Sequence, residues 1–282
     1  MAVSVLTGPV LAGDDDAYRS AQLPRQYWKV AMVKRSGELS VTGYLLSQAA
    51  LLDKLESTRE FSYGAYWTFQ VPVRRIPDDV DPTVAELAGA VARCLAELGL
   101  ERPHVAGNSL GGAVALELAR HGAVASVTAI SPAGFWSGLE RPLAHRSLLA
   151  SWAISRRIRP YAPRLLGRPR MRRLLYGQMF AHPQGLAPGE ALARMDVLLR
   201  GDGFHATLPH LIGYSFPAGD LPVPATIAWG TRDALLLPTQ ARRARLRLPG
   251  ARHIWLRGCG HVPMSDDDHQ VAAAILRGSA AQ

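Results

Sequence analysis

Gly107-Asn108-Ser109-Leu110-Gly111, running on into Gly112-Ala113-Val114-Ala115, is the stretch whose reading decides the fold. In front of it, His104-Val105-Ala106 is short and reads as a strand. Behind it, Gly111 to Arg120 reads as a helix. A serine placed where a strand turns sharply into a helix holds its hydroxyl clear at the tip of the turn, and small residues on both sides let strand and helix approach. At average residue usage the bare G-x-S-x-G pattern arises in roughly one chain in ten. Its weight therefore comes from the flanking strand and helix. The competing reading is a glycine-rich turn that merely packs a helix.

Outward from this point the chain alternates. Asp81-Pro82-Thr83 opens a helix, with Asp81 as cap and Pro82 at the first helical position. Val84, Leu87, Ala88, Val91, Leu95 and Leu98 give it one apolar face, and Gly99 stops it. Val124 to Ile130, Ala225 to Trp229 and His253 to Leu256 read as strands, with helices from Thr239 and over Asp268 to Leu276. Such alternation predicts an α/β fold whose parallel sheet is covered on both faces. Trp136 to Phe216 breaks the rhythm. Its helical pieces, Leu148 to Ile158 and Glu190 to Leu199, are separated by prolines at 160, 163, 169, 183 and 188. An insertion of this kind, about 136–220, is a natural lid over a site at the sheet's edge. Residues 1–76 have another texture: strands at Trp28 to Val33 and Leu39 to Leu45 joined at Ser36-Gly37, a helix at Gln48 to Leu55, and a strand at Tyr66 to Val73. This is an α+β pattern without strand-helix-strand rhythm.

The 282 residues suit one large or two small domains, and 48% hydrophobic with 20% charged content is ordinary for a chain with a real core. No apolar run approaches the roughly 20 residues that span a bilayer. Met1 to Gly13 lacks the basic start of a signal peptide. Cys94 and Cys259 are far apart and have no metal-ligand spacing, which fits a reducing, cytoplasmic compartment. The net charge is +9, and between Arg141 and Arg173 lie ten arginines with no Asp or Glu. A basic patch can attract nucleic acid or anionic lipid. No motif of a nucleic-acid module accompanies it, so a solvated cap surface is expected and nucleic acid is not expected as a partner.

A serine hydroxyl needs a base within hydrogen-bond reach to act as a nucleophile. His261 is best placed, in the glycine-rich loop Gly258-Cys259-Gly260-His261 just past a strand. His253 lies within a strand, His269 in the last helix, and His205 and His210 in the cap, where they could touch substrate. Asp233 follows its strand through Gly230-Thr231-Arg232 and can orient an imidazole. The run Asp266-Asp267-Asp268 reads instead as the capped start of the last helix.

Gly107-Asn108-Ser109-Leu110-Gly111-Gly112, Trp229-Gly230-Thr231-Arg232-Asp233 and Gly258-Cys259-Gly260-His261-Val262-Pro263, in that order, resemble the α/β-hydrolase superfamily, of the cap-bearing kind that includes esterases, lipase-like enzymes and C–C bond hydrolases. The resemblance covers residues 77–282. It implies Ser109 as nucleophile, Asp233 as orienting acid, His261 as base and the Leu110 amide as one oxyanion donor, with no cofactor or metal. A Ser rather than an Asp at the elbow disfavours dehalogenase and epoxide-hydrolase chemistry. The family's second oxyanion donor sits on a loop after an early strand, usually near a His-Gly pair. No histidine precedes His104, and the early strands are not recognisable. The reading that follows is a serine hydrolase of a small hydrophobic ester or acyl substrate, with reduced activity, since one donor is worth about 2.7–4 kcal/mol. Asn108 before Ser109 is also compatible with a C–C hydrolase.

Thr7-Gly8-Pro9-Val10, Leu23 to Val30, Gly43 to Gln48 and Thr68 to Val73 resemble the C-terminal part of the DNA/RNA non-specific endonucleases. That family uses a histidine base and an asparagine that holds Mg²⁺, both upstream of this part. The first His here is His104 and the first Asn is Asn108, so no nuclease residue carries over. On this reading two fragments, 1–76 and 77–282, join near Ile76-Pro77. The hydrolase sheet would expose an edge unless the N-terminal strands cover it.

Overall fold

The structure, a computed structural model, describes residues 3–10, 16–18, 21–23, 26–35, 38–47, 67–72, 82–97, 100–200 and 203–279. The expected helix at Gln48 to Leu55 lies outside them. Strands β1 (Val3–Val10), β2 (Asp16–Tyr18), β3 (Ala21–Leu23), β4 (Gln26–Arg35), β5 (Glu38–Ser47) and β6 (Trp67–Pro72) come first. Then follow α1 (Val84–Glu97), β7 (His104–Asn108), α2 (Leu110–Arg120) and β8 (Ser126–Ile130). The cap holds α3 (Glu140–Ile158), α4 (Ala162–Leu165), α5 (Pro169–Tyr176), α6 (Pro188–Leu199) and α7 (Phe204–Gly213). The chain returns through β9 (Ala225–Gly230), α8 (Pro238–Arg247), β10 (Arg252–Leu256) and α9 (Asp268–Ser279).

One eight-stranded sheet has the order β10-β9-β8-β7-β1-β4-β5-β6. Neighbours from β7 to β10 are parallel, whereas β1 runs antiparallel to β7, with Leu6 opposite Gly107 and Thr7 opposite Ala106. The expected parallel sheet is therefore only half of what forms. β4 and β5 pair through their whole length to Arg35 opposite Glu38, as the Ser36-Gly37 turn predicts. The N-terminal strands cover the edge that β7 would otherwise expose. β1 itself is not legible in the sequence, where Gly8 and Pro9 disguise it.

Strands β7, β8 and β9 are buried on both faces, whereas edge strand β10 is partly exposed. Val127, Ala129, Ile227 and Trp229 point into the main cluster with α1, α2 and α8, while Ile130, Ala228 and Leu256 meet Val271 and Ala274 of α9 on the other side. Each Val, Ile or Leu among them contributes about 1.5–3 kcal/mol by leaving water. α9 approaches so closely that a Cβ on Gly278 would lie 2.2 Å from Thr128 Oγ1. At the start of α1 Thr83 Oγ1 accepts from the Glu86 amide at 3.2 Å; the expected cap, Asp81, lies outside the described residues.

The cap has its own small core of Ala162, Leu166, Ala191 and Met195. Among the apolar residues of its first helix, Leu148, Leu149 and Trp152 pack on the main core and Ile154 is exposed. α3 begins at Glu140, earlier than the expected Leu148, because Pro142 falls in the first turn, where a missing N–H costs nothing. The two ends of the insertion are pinned together. Phe216 N–H donates to Gly134 O at 3.1 Å, and Arg247 reaches Gly134 O, Ser215 Oγ and Phe216 O at 2.9–3.0 Å. Glu140 anchors the first cap helix to α8, accepting from Arg243, from Thr239 Oγ1 at 2.6 Å and from the Ser137 amide at 2.8 Å.

Burial acts to raise the Glu140 carboxyl, but these hydrogen bonds outweigh it and hold it down at about 2. A depressed carboxyl contributes stability above its unfolded value and loses it as pH falls toward the folded one. Glu140 should therefore stabilise the protein uniformly above pH 4.5 and progressively less from there down to about 2. Urea melts of Glu140→Gln beside the parent should differ most at neutral pH and converge near pH 2–3; a constant difference across that range would refute the assignment.

Candidate active site

Ser109 closes β7 and opens α2 with φ 58° and ψ −117°. A non-glycine residue held there costs on the order of 1–3 kcal/mol, which the surroundings must offset. Ser109 N–H donates to Ile130 O at 3.0 Å, and its own carbonyl accepts from Ala113 and Ala133, each at 3.1 Å. The flanking glycines are required by space. A Cβ on Gly107 would lie 2.1 Å from Gly111 O, and one on Gly112 would lie 3.0 Å from both Gly107 O and the Pro132 side chain. The Leu110 N–H is the first of α2, one of the amides that helix geometry leaves unpaired, at the positive end of the helix.

Asp233 and His261 meet in the interior. His261 Nδ1 bonds Asp233 Oδ2 at 2.9 Å, with both side chains almost wholly buried. Asp233 Oδ1 accepts from the amides of Leu235 at 3.0 Å and Leu236 at 2.8 Å, which fixes the carboxylate. With Nδ1 donating to Asp233, the neutral ring presents its lone pair at Nε2. The two loops are clasped by their backbones: Arg232 N–H donates to Cys259 O at 2.8 Å, and Gly258 N–H to Thr231 Oγ1 at 2.9 Å. A Cβ on Gly230 would lie 2.3 Å from Gly260 O, so glycine is needed at this crossing.

Asn108 ties this pair to the serine turn. Its Nδ2 donates to Ile130 O and to His261 O, each at 3.0 Å, so the residue beside Ser109 holds the backbone of His261 itself. On its other side the His261 loop meets the cap. Val262 N–H donates to Met179 O at 2.9 Å, and the Asp266 carboxylate accepts from Gly260, Ala181 and His182. This corrects the expectation for the acidic run. Asp267 caps α9, its Oδ1 taking the Gln270 amide at 3.0 Å, and Asp268 begins the helix, but Asp266 serves the cap contact. Nothing in a run of three aspartates separates these jobs.

The rival groups stand apart. His253 sits in edge strand β10, bonded at Nε2 to Leu248 O at 3.0 Å, with its pKa lowered by burial. His205 on α7 is exposed and stacks edge-on to Trp152, while His269 is exposed at the start of α9. Cys259 is two residues from His261, yet burial, with Asp266 and Asp267 nearby, pushes its thiol up to about 11 and keeps it protonated. Among the described residues no group of three His, Cys, Asp or Glu is arranged to hold a metal ion, and no helix is long and apolar enough to cross a membrane. The exposed arginines of the cap, such as Arg146, Arg157 and Arg170, face solvent.

A family model described as the alpha/beta hydrolase family matches residues 42–274, beginning within 1–76, where the expected likeness to an endonuclease is not shown. Epoxide hydrolase EphH of Mycobacterium tuberculosis is 32% identical over 207 residues, covering 68% of this chain and 92% of that protein. Among solved structures, a membrane phospholipase A described as a bacterial virulence factor shares 21% identity at a TM-score of 0.55, over 88% of this chain and 86% of that one. The 2-hydroxy-6-oxo-6-phenylhexa-2,4-dienoate hydrolase BphD of Rhodococcus sp. strain RHA1 shares 14% identity at a TM-score of 0.52, over 88% and 96%. At those identities the two structures speak for the fold alone.

Asn108→Ala should strip a donor from two carbonyls and lower stability by about 1–3 kcal/mol in urea melts. Gly107→Ala, which forces a Cβ into backbone rather than into a movable side chain, should fall at or beyond the top of the roughly 1–3 kcal/mol range for overpacking. Melts within error of the parent would contradict the packing described.

Proposed function

The chain belongs to the alpha/beta hydrolase family, and from that premise we propose that it is a serine hydrolase cleaving an ester or related acyl bond through an acyl-enzyme. The observation that carries the reading is the buried His261–Asp233 hydrogen bond, whose loop Asn108 ties to the strained turn presenting Ser109. Ser109 Oγ attacks the carbonyl carbon as His261 Nε2 takes its proton. Asp233 holds the imidazole and stabilises its charged form. The Leu110 N–H donates to the oxyanion. His261 then returns the proton to the leaving alcohol, and a water activated by the same ring releases the acid. Residues 77–282 carry this chemistry, with the cap over about 136–220 setting the size of a small hydrophobic substrate.

Two relatives invite other readings. Attack of Ser109 on an epoxide would leave an alkyl ether on the enzyme, which water does not cleave, whereas attack on an acyl group leaves an ester, which it does. The name of the M. tuberculosis relative therefore does not transfer through a serine nucleophile. The C–C hydrolase reading leaned on Asn108. Both of its amide hydrogens are engaged by backbone carbonyls, which leaves no donor for a substrate.

The test is hydrolysis of p-nitrophenyl butyrate, with styrene oxide as comparison, by the parent, Ser109→Ala and Asp233→Asn. Ester turnover should fall by about a thousandfold or more in each variant, and styrene oxide should remain intact. Ester turnover untouched by Ser109→Ala would sink the proposal. Epoxide opening that survives Ser109→Ala would point instead to His261 and Asp233 activating water directly.

A further inference from the structure

Three backbone amides converge on one carboxylate at the seam between cap and sheet. Asp266 Oδ2 accepts from Gly260 N–H at 2.8 Å and Ala181 N–H at 3.0 Å, and Oδ1 accepts from His182 N–H at 3.0 Å. Gly260 precedes His261, while Ala181 and His182 belong to the cap between α5 and α6. The approach is backbone against backbone: a Cβ on Gly260 would lie 2.7 Å from Ala181 N. On the far side of His261, Val262 N–H donates to Met179 O at 2.9 Å. The residue after His261 is thus bonded directly to cap stretch 179–182, and the residue before it is linked to that stretch through the Asp266 carboxylate.

We propose that Asp266 is a positioning residue, whose carboxylate locks cap segment 179–182 to the His261 loop and keeps the imidazole in register with Asp233 only while the cap is seated. The proposal rests on the reading of His261 as the base. A carboxylate suits the task because it only accepts, and its two oxygens can take several N–H donors at once in charge-assisted bonds. An amide of the same shape would turn a donor toward an N–H. The position is not spent on capping α9, which Asp267 does through the Gln270 amide. A neighbouring tie makes the coupling separable from gross loss of the cap. Arg194 of α6 donates to Ser265 Oγ at 2.8 Å and lies over the Phe180 ring at 4.9 Å, so the cap keeps a second anchor when Asp266 is altered.

The experiment compares the full-length parent, Asp266→Asn and Asp266→Glu by hydrogen exchange, by the proton NMR signal of the His261 Nδ1–H, and by kcat and KM on p-nitrophenyl butyrate. In Asp266→Asn, exchange should rise about tenfold or more in segments 179–182 and 258–262 together, and the Nδ1–H signal should broaden. The kcat should fall about tenfold with KM nearly unchanged, and Asp266→Glu should recover most of each effect. Loosening of 179–182 alone, with the His261 signal and kcat intact, would overturn the proposal by reducing Asp266 to a staple for the cap. No change anywhere would overturn it as well. The exchange and NMR arms need no turnover. A parent that binds its Nδ1 proton but hydrolyses no ester therefore counts against the acyl-hydrolase reading and leaves the lock to be judged on those two signals.

Discussion

Two backbone crossings with no room for a Cβ hold the site together. At the first, β7 passes the opening turn of α2 so closely that only glycine fits at 107, and the strained conformation of Ser109 follows from that approach. At the second, the loop after β9 crosses the loop after β10 at Gly230 and Gly260, and this contact brings Asp233 within a hydrogen bond of His261. Neither crossing contributes much apolar burial. What they supply is position, and the buried sheet around them offsets the strain. Asn108, at the first crossing, reaches the second by donating to His261 O, and its amide also ties to Ile130 O of β8.

The cap obeys a different logic. It has a small core of its own and is pinned at its two ends by Arg247. An apolar seam joins it to the sheet: Ala144, Phe204, Leu208 and Ile212 lie in the main core, with Leu148, Leu149 and Trp152 packed against them. Polar contacts add direction at two points, Glu140 with Arg243 and Thr239, and Asp266 with the 181–182 amides. The seam seats the cap, and the polar contacts let it bear on the histidine loop.

How much of this could be read from the chain follows from how local each cause is. Residues 84–130 and 225–276 declared themselves because helical spacing, short apolar strands and glycine punctuation are all local signals, and the Ser, Asp and His candidates stood at their edges. Thr83 takes the Glu86 amide at the start of α1, a contact that the string Asp81-Pro82-Thr83 does not single out by itself. Asp266 was hidden because its partners, Ala181 and His182, lie some eighty residues away and offer only backbone. The antiparallel joint between β1 and β7 was hidden for the same reason, since strand partners far apart in sequence leave no local trace.

That joint bears on the oxyanion. A strand parallel to β7 ends at the same sheet edge as Ser109, so the loop after it can bring an amide to the site. β1 runs the other way: with Leu6 opposite Gly107 and Thr7 opposite Ala106, each further residue toward Val10 moves away from Ser109. The C-terminal end of β1, at Val10, therefore lies on the side of the sheet away from Ser109. β4 is antiparallel to β1, with Val3 opposite Val33 and Val10 opposite Gln26, so it runs in the direction of β7 and finishes, at Arg35, on the side of the sheet where Ser109 stands. It lies one strand further out than a direct neighbour, roughly 4.8 Å more. The N-terminal strands thus cover the sheet's edge, and on the proposed mechanism the Leu110 amide is the oxyanion donor that the elbow itself supplies.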